Sequence, residues 1–296
     1  MGLRFLLFSI NLAEALPRTK MPLNSSRFNR ILQVLVASSL FFPVLPGAFA
    51  ELSPSHYTWL GEQIFRNECN SRPSCLTSWN AGEDFPSVGI GHFIWYQKDQ
   101  EEIFEETFPA LLAFFGDEGI VLPEWLKASA AADNPWRDRD SFNQAQQSPR
   151  MQELRDFLLL TAPLQAEFIV HRFNITRDSI VSSFKSAKQA RARQVIDQLA
   201  TIQPPYGQYA LIDYLHFKGS GLNPAENYQG TGWGLKQVIN AMLGQQVSLE
   251  TFATAATAVL DRRIENAPLA RDESRWQAGW HNRIKTYLPP QAVSVN

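Results

Sequence analysis

The stretch Ser78-Trp79-Asn80-Ala81-Gly82-Glu83-Asp84-Phe85-Pro86-Ser87-Val88-Gly89-Ile90-Gly91-His92, reached from Glu68 through Cys69 and Cys75, decides how the chain is read. Leu76 to Trp79 and Ser87 to Tyr96 predict two strands about a turn at Asn80-Ala81-Gly82. In the second, Val88, Ile90 and His92 alternate with Gly89 and Gly91, and glycines there let another backbone or a ligand come close. In extended backbone Glu83, Phe85 and Ser87 share one face and Asp84 takes the other. That parity favours Glu83 over Asp84 as the inward carboxylate, with Ser87 placed to hold a water. Pro86 makes the backbone irregular, so both acids stay open.

Upstream, Ser53 or Ser55 caps a helix in which Leu60, Ile64 and Glu68 recur every four residues and share a face with Tyr57. The Glu68 carboxyl then lies along an apolar stripe, where desolvation raises its pKa and keeps it protonated near neutral pH. A solvated glutamate at a frayed helix end is the alternative. Carboxylates on both sides of a hairpin suit acid-assisted cleavage of a glycosidic bond. That reaction takes one protonated carboxyl and either an ionised partner or a placed water.

From Met21, Arg27 and Arg30 precede an apolar run, Ile31 to Leu45, and then Gly47-Ala48-Phe49-Ala50, the pattern of a cleaved signal peptide. The run is about 15 residues long against the ~20 of a membrane span, and Pro43 and Pro46 interrupt its end. Residues 1–50 are therefore set apart as a targeting segment, with Met21 a candidate start and no stable membrane span expected after cleavage. The periplasm and the external medium are both open as destinations. Residues 51–290 make one domain with an insertion at about 100–204, and 291–296 a tail. In an oxidising compartment Cys69 and Cys75 can close a small loop directly behind Glu68; two unpaired thiols are the alternative.

Formal net charge is −2 and no basic stripe is present, so nucleic-acid binding has no electrostatic support. Eight tryptophans and twenty phenylalanines suit a sugar-binding groove, and suit an ordinary core equally. Phe108 to Phe115 is apolar, Pro123 to Trp136 reads as loop, and Met151 to Phe168 and Ala187 to Leu199 carry helical spacing. Trp125 and Trp136 on that loop are candidates to stack on sugars, with ordinary packing the plainer account. Tyr206 to Phe217 is a helix broken by Lys218-Gly219-Ser220-Gly221. A second glycine loop, Tyr228-Gln229-Gly230-Thr231-Gly232, precedes helices over Trp233 to Leu243, Phe252 to Ile264 and Glu273 to Tyr287. The stripe Trp276, Trp280 and Ile284 in the last of these is read as core.

Taken in order, these pieces resemble the phage-type lysozymes of the lysozyme-like superfamily. They are the helix-ending glutamate, the small hairpin, Ser87-Val88-Gly89-Ile90-Gly91-His92, the helix Ala210-Leu211-Ile212-Asp213-Tyr214-Leu215-His216-Phe217-Lys218-Gly219, a glycine loop, and the closing helix Arg275 to Tyr287. The likeness covers roughly 55–97 and 205–288. It implies an α+β, predominantly helical fold with a small β-hairpin lobe and a larger helical lobe. It also implies cleavage of β-1,4 bonds in peptidoglycan, with Glu68 the acid and Ser87 the water-orienting hydroxyl. Asn80 stands nearest the family's hairpin acid, which leaves the partner role with Glu83 or Asp84. Asp84, His92, Tyr228 and Gln229 are the candidate substrate contacts.

An inverting reaction needs carboxyls about 6.5–9.5 Å apart. Without a second carboxylate the resemblance implies a lytic transglycosylase route, in which Glu68 is both acid and base and the sugar's own hydroxyl attacks. Chitosanases share the superfamily, and a non-catalytic glycan-binding protein is the competing class. His56, His92, His171, His216 and His281 are scattered without a His-Glu-x-x-His element, and no Gly-x-Ser-x-Gly elbow occurs. Neither a metal nor a cofactor is expected.

Overall fold

The computed structural model describes residues 52–100, 104–128 and 133–290. The expected targeting segment and the tail lie outside them. Helix α1 runs Pro54–Cys69; the Ser53 side chain accepts from the His56 amide and Pro54 opens the first turn, while Asn70 ends it in the left-handed conformation. Leu60, Gly61 and Ile64 face inward, and Gly61 lets the helix approach the one that begins at Ala162, where an added Cβ would lie 3.3 Å from the Ala162 carbonyl.

Strands β1 (Thr77–Ser78), β2 (Ser87–Val88) and β3 (Phe93–Ile94) form an antiparallel sheet in that order. Thr77 pairs with Val88, Ser78 with Ser87, Ser87 with Ile94, and Val88 with Phe93. The single strand expected over 87–96 is thus two strands and a turn. Gly89 (φ +79°) and His92 (φ +48°) reverse the chain between them. Only glycine fits at 89: a Cβ there would stand 2.4 Å from Gln165 Oε1.

The helical part comprises α2 (Phe108–Asp117), α3 (Glu124–Ala128), α4 (Arg139–Gln144), α5 (Pro149–Leu160), α6 (Ala162–Ser182), α7 (Ser186–Thr201) and α8 (Tyr206–Lys218). The small hairpin β4 (Asn227–Tyr228) and β5 (Thr231–Gly232) follows, then α9 (Leu235–Met242), α10 (Leu249–Asn266) and α11 (Gln277–Lys285). The helical spacing over 151–168 is divided between α5 and α6, because Pro163 in the first turn of α6 has no N–H to continue α5. The stretch read as loop at 123–136 contains α3.

Helix α8 is the axis of the larger part: every residue from Gly207 to Tyr214 is buried, with α6, α7, α9 and α10 around it. Gly207 permits the closest approach, since a Cβ would collide with the Leu199 carbonyl of α7. Helices α6 and α7 therefore share one core with α1 and α8. The architecture is predominantly helical with two small antiparallel sheets. Trp136 is buried against Trp95 and Phe142, which removes it as a sugar platform. Trp280 and Ile284 are core as expected, but Trp276 is 51 % exposed because it precedes α11 in a 3-10 turn. Among the described residues no helix is long and apolar enough to cross a membrane.

Candidate active site

Glu68 occupies the last turn of α1, where three other elements converge. Its Oε1 accepts from Arg283 Nη1 of α11 at 2.6 Å, and its Oε2 lies 3.5 Å from His92 Nδ1 in the β2–β3 turn. Arg283 uses its other face on α8, donating from Nε and Nη2 to Asp213 at 2.9 Å each, and Tyr287 donates to the same carboxylate at 2.7 Å. The Asp213 side chain is wholly buried, and Arg283 is 7 % exposed. Burial alone would raise the Glu68 carboxyl. Arg283 foremost, then His92 and His216, outweigh it and hold the group at about 2. The expectation of a protonated Glu68 is thereby reversed: at neutral pH the carboxylate is ionised and clamped.

The β2–β3 turn is fixed from both sides. Gln165 of α6 accepts from the Ile90 amide at 2.8 Å while donating to the Leu158 carbonyl and the Thr161 hydroxyl. His216 of α8 donates from Nε2 to the Gly91 carbonyl at 2.8 Å, so close that a Cβ on Gly91 would lie 2.9 Å from its ring. Burial lowers the His216 pKa, which suits a neutral ring donating from Nε2. Cys69 and Cys75 form the disulfide, with Cα atoms 5.4 Å apart. His92 Nε2 rests 3.2 Å from Cys75 Sγ and 3.5 Å from Cys69 Sγ. These three side chains cluster tightly, but the bonded sulfurs have no thiolate to offer a metal.

Beside this centre opens a cleft of about 500 Å³, bounded by the β2–β3 turn, the end of α8 and the β4–β5 hairpin. His92, His216, Lys218, Glu226, Tyr228 and Arg263 are among its lining residues. Tyr228 donates to Glu273 at 2.8 Å, and Arg263 grips the same carboxylate through Nε and Nη2 at 2.7 and 2.8 Å.

Of the residues singled out from sequence, His92 and Tyr228 line the cleft, and Glu68 borders it through His92. Glu83 is half-buried and Asp84 exposed, in irregular backbone ahead of β2. The Glu83 carboxylate accepts from Asn80 at 3.1 Å, and desolvation pushes its pKa up against Asn80 and His92. Ser87 is 6 % exposed in the central strand of the sheet, not on the cleft wall. Gln229 sits at the exposed tip of the β4–β5 hairpin at φ +51° and is not among the lining residues. Arg283, Asp213, Lys218, Glu226 and Arg263 were missed. The last turn of α8 and the following Gly219-Ser220-Gly221 were the only local signal, since they mark where a helix end opens onto a loop.

No family model, no curated protein and no solved structure matches this chain.

Proposed function

We propose that the protein is an exported glycosidase of the muramidase kind, acting on β-1,4 bonds of peptidoglycan with Glu68 as the essential carboxylate. The observation that carries the reading is the position of Glu68: at a helix end, 17 % exposed, held by Arg283 and His92 at the border of a cleft. The disulfide agrees with an oxidising destination. For Glu68 to donate a proton, Arg283 Nη1 must leave it. Burial opposes that hold, so displacing the guanidinium moves the carboxyl upward. A glycan oxygen entering beside His92 supplies a competing partner. Water then attacks from the opposite face under a hairpin carboxylate; Ser87, buried in the sheet and off the cleft wall, is not placed to hold it.

The opposite shifts of the two carboxyls favour a second reading with the roles exchanged. Glu83, pushed up by desolvation, is then the proton donor, and ionised Glu68 stabilises the cationic transition state or activates water.

Digestion of purified peptidoglycan by the wild type, Glu68→Gln and Glu83→Gln, with mass spectrometry of the products, tests both. Reducing ends made by the wild type and lost in Glu68→Gln support the hydrolase. Anhydro ends make it a lytic transglycosylase. A Glu83→Gln defect that removes the basic limb of the pH–rate profile exchanges the roles. Glycan left intact by the wild type overturns the muralytic reading and turns attention to chitosan and to glycan binding without cleavage.

A further inference from the structure

The cleft holds a lysine that no acid answers among the described residues. Arg263 is closed by Glu273, Arg172 is paired with Glu105 at 2.6 Å, and Arg271 stands 3.8 Å from Glu273. Lys218, the last residue of α8, lines the same cleft, and among the described residues no carboxylate reaches its ammonium. The Nζ atom sits 3.6 Å from the centroid of the Trp280 ring and 3.9 Å from that of Phe217. Two ring faces occupy the space that hydration would fill, and cation–π attraction returns only part of that loss. Burial pushes the Lys218 pKa well down; Arg263 and Arg283 add to this, and Glu273 and Glu68 oppose it. The partner such a group lacks is an anion delivered from the cleft. Glu226 lines the same wall, and burial raises its pKa against Arg263 and Asn223.

We propose that Lys218 anchors a carboxylate of the glycan, so that the cleft selects strands bearing lactyl or peptide carboxylates over neutral chitin-like and cationic chitosan-like strands. This rests on the glycan reading given above and adds the chemical class of the strand and the residue that reads it.

Binding by the full chain, followed through tryptophan fluorescence, tests it with three tetrasaccharides. They are alternating N-acetylglucosamine and N-acetylmuramic acid, the same strand with its lactyl carboxylates amidated, and tetra-N-acetylglucosamine. The wild type is expected to bind the acidic strand on the order of ten- to a hundredfold tighter than the amidated one, the range of a charge-assisted hydrogen bond. Lys218→Met, which keeps the apolar stem between the rings, should bring that ratio to about one, and Lys218→Arg should restore part of it. The ratio reports selectivity, so a general loosening of the cleft leaves it unchanged. Should Lys218→Met not fold, the wild-type ratio and Lys218→Gln decide. Equal wild-type affinities, or an undiminished ratio in Lys218→Met, overturn the anchor and leave the glycan reading standing. Binding of none of the three overturns both.

Discussion

Two arginines in this molecule make the same arrangement and put it to different ends. Arg283 grips Asp213 through two N–H groups while Tyr287 donates to that carboxylate. Arg263 grips Glu273 in the same way, with Tyr228 as the hydroxyl donor. The contrast lies in what remains of each guanidinium. Arg283 is enclosed by α1, α8 and α11, and its remaining Nη1 reaches a second carboxylate, Glu68, at 2.6 Å. Both guanidiniums also lie 4.0 Å from a ring centroid, Arg283 over Phe217 and Arg263 over Trp233, but among the described residues Arg263 meets no second carboxylate and forms wall. An arginine–carboxylate–tyrosine unit is thus a scaffold in both places. It becomes an electrostatic control only where a further acid stands against it.

Breaking the buried unit should cost most. Asp213→Ala leaves Arg283 with Glu68 alone and should destabilise the fold by about 3–5 kcal/mol, read as a lowered denaturant midpoint. A smaller change would mean that Glu68 can take over the whole guanidinium.

The clamp on Glu68 comes next, through its titration. The folded carboxyl is held at about 2 against an ordinary 4.5, so its stabilisation is complete above pH 4.5 and is lost as pH falls through 2. Linkage sets that contribution on the order of 3 kcal/mol. Thermal melts across this window should fall steeply for the wild type and less steeply for Glu68→Gln. Parallel curves would show that Arg283 does not hold the Glu68 carboxyl down.

The first centre is also backed by a covalent loop, which the second lacks. Replacing Cys69 and Cys75 by serine should cost about 2 kcal/mol in the chain-entropy account. It should also loosen His92, whose ring rests on both sulfurs; the imidazole line widths in NMR spectra would report this.

On the cleft side, Glu273→Gln should cost only about 1–2 kcal/mol by denaturation, since Arg263 keeps its ring contacts with Trp233 and Trp280. The smallest effect belongs to exposed Trp276, where alanine should stay within about 0.5 kcal/mol of the wild type. Its neighbour Trp280, buried under Lys218, should be far less tolerant.

What the sequence made legible was local. Ser53, Pro54 and the four-residue spacing of Leu60, Ile64 and Glu68 define α1 and put the glutamate at its end. Gly89 and Gly91 announced a close approach without saying that Gln165 and His216 make it, because those partners lie far along the chain. The ionisation of Glu68 was misread for the same reason. Helical spacing reported an apolar surround, whereas the deciding charge sits 215 residues away in α11. The strand over 87–96 was misjudged because alternation alone does not register the left-handed backbone at Gly89 and His92. Lys218 was read as the start of a helix-breaking segment, and only the packing of α11 brings Trp280 over it.

Gln165 has a mechanical consequence. Its wholly buried amide ties the Ile90 N–H to the end of α5 and the start of α6. The three-stranded sheet is therefore geared to the long helix and does not hinge upon it. Local breathing cannot expose that amide without leaving polar groups stranded in the core. Its deuterium exchange should follow whole-molecule unfolding, while the exposed β4–β5 tip at Gln229 exchanges through small openings.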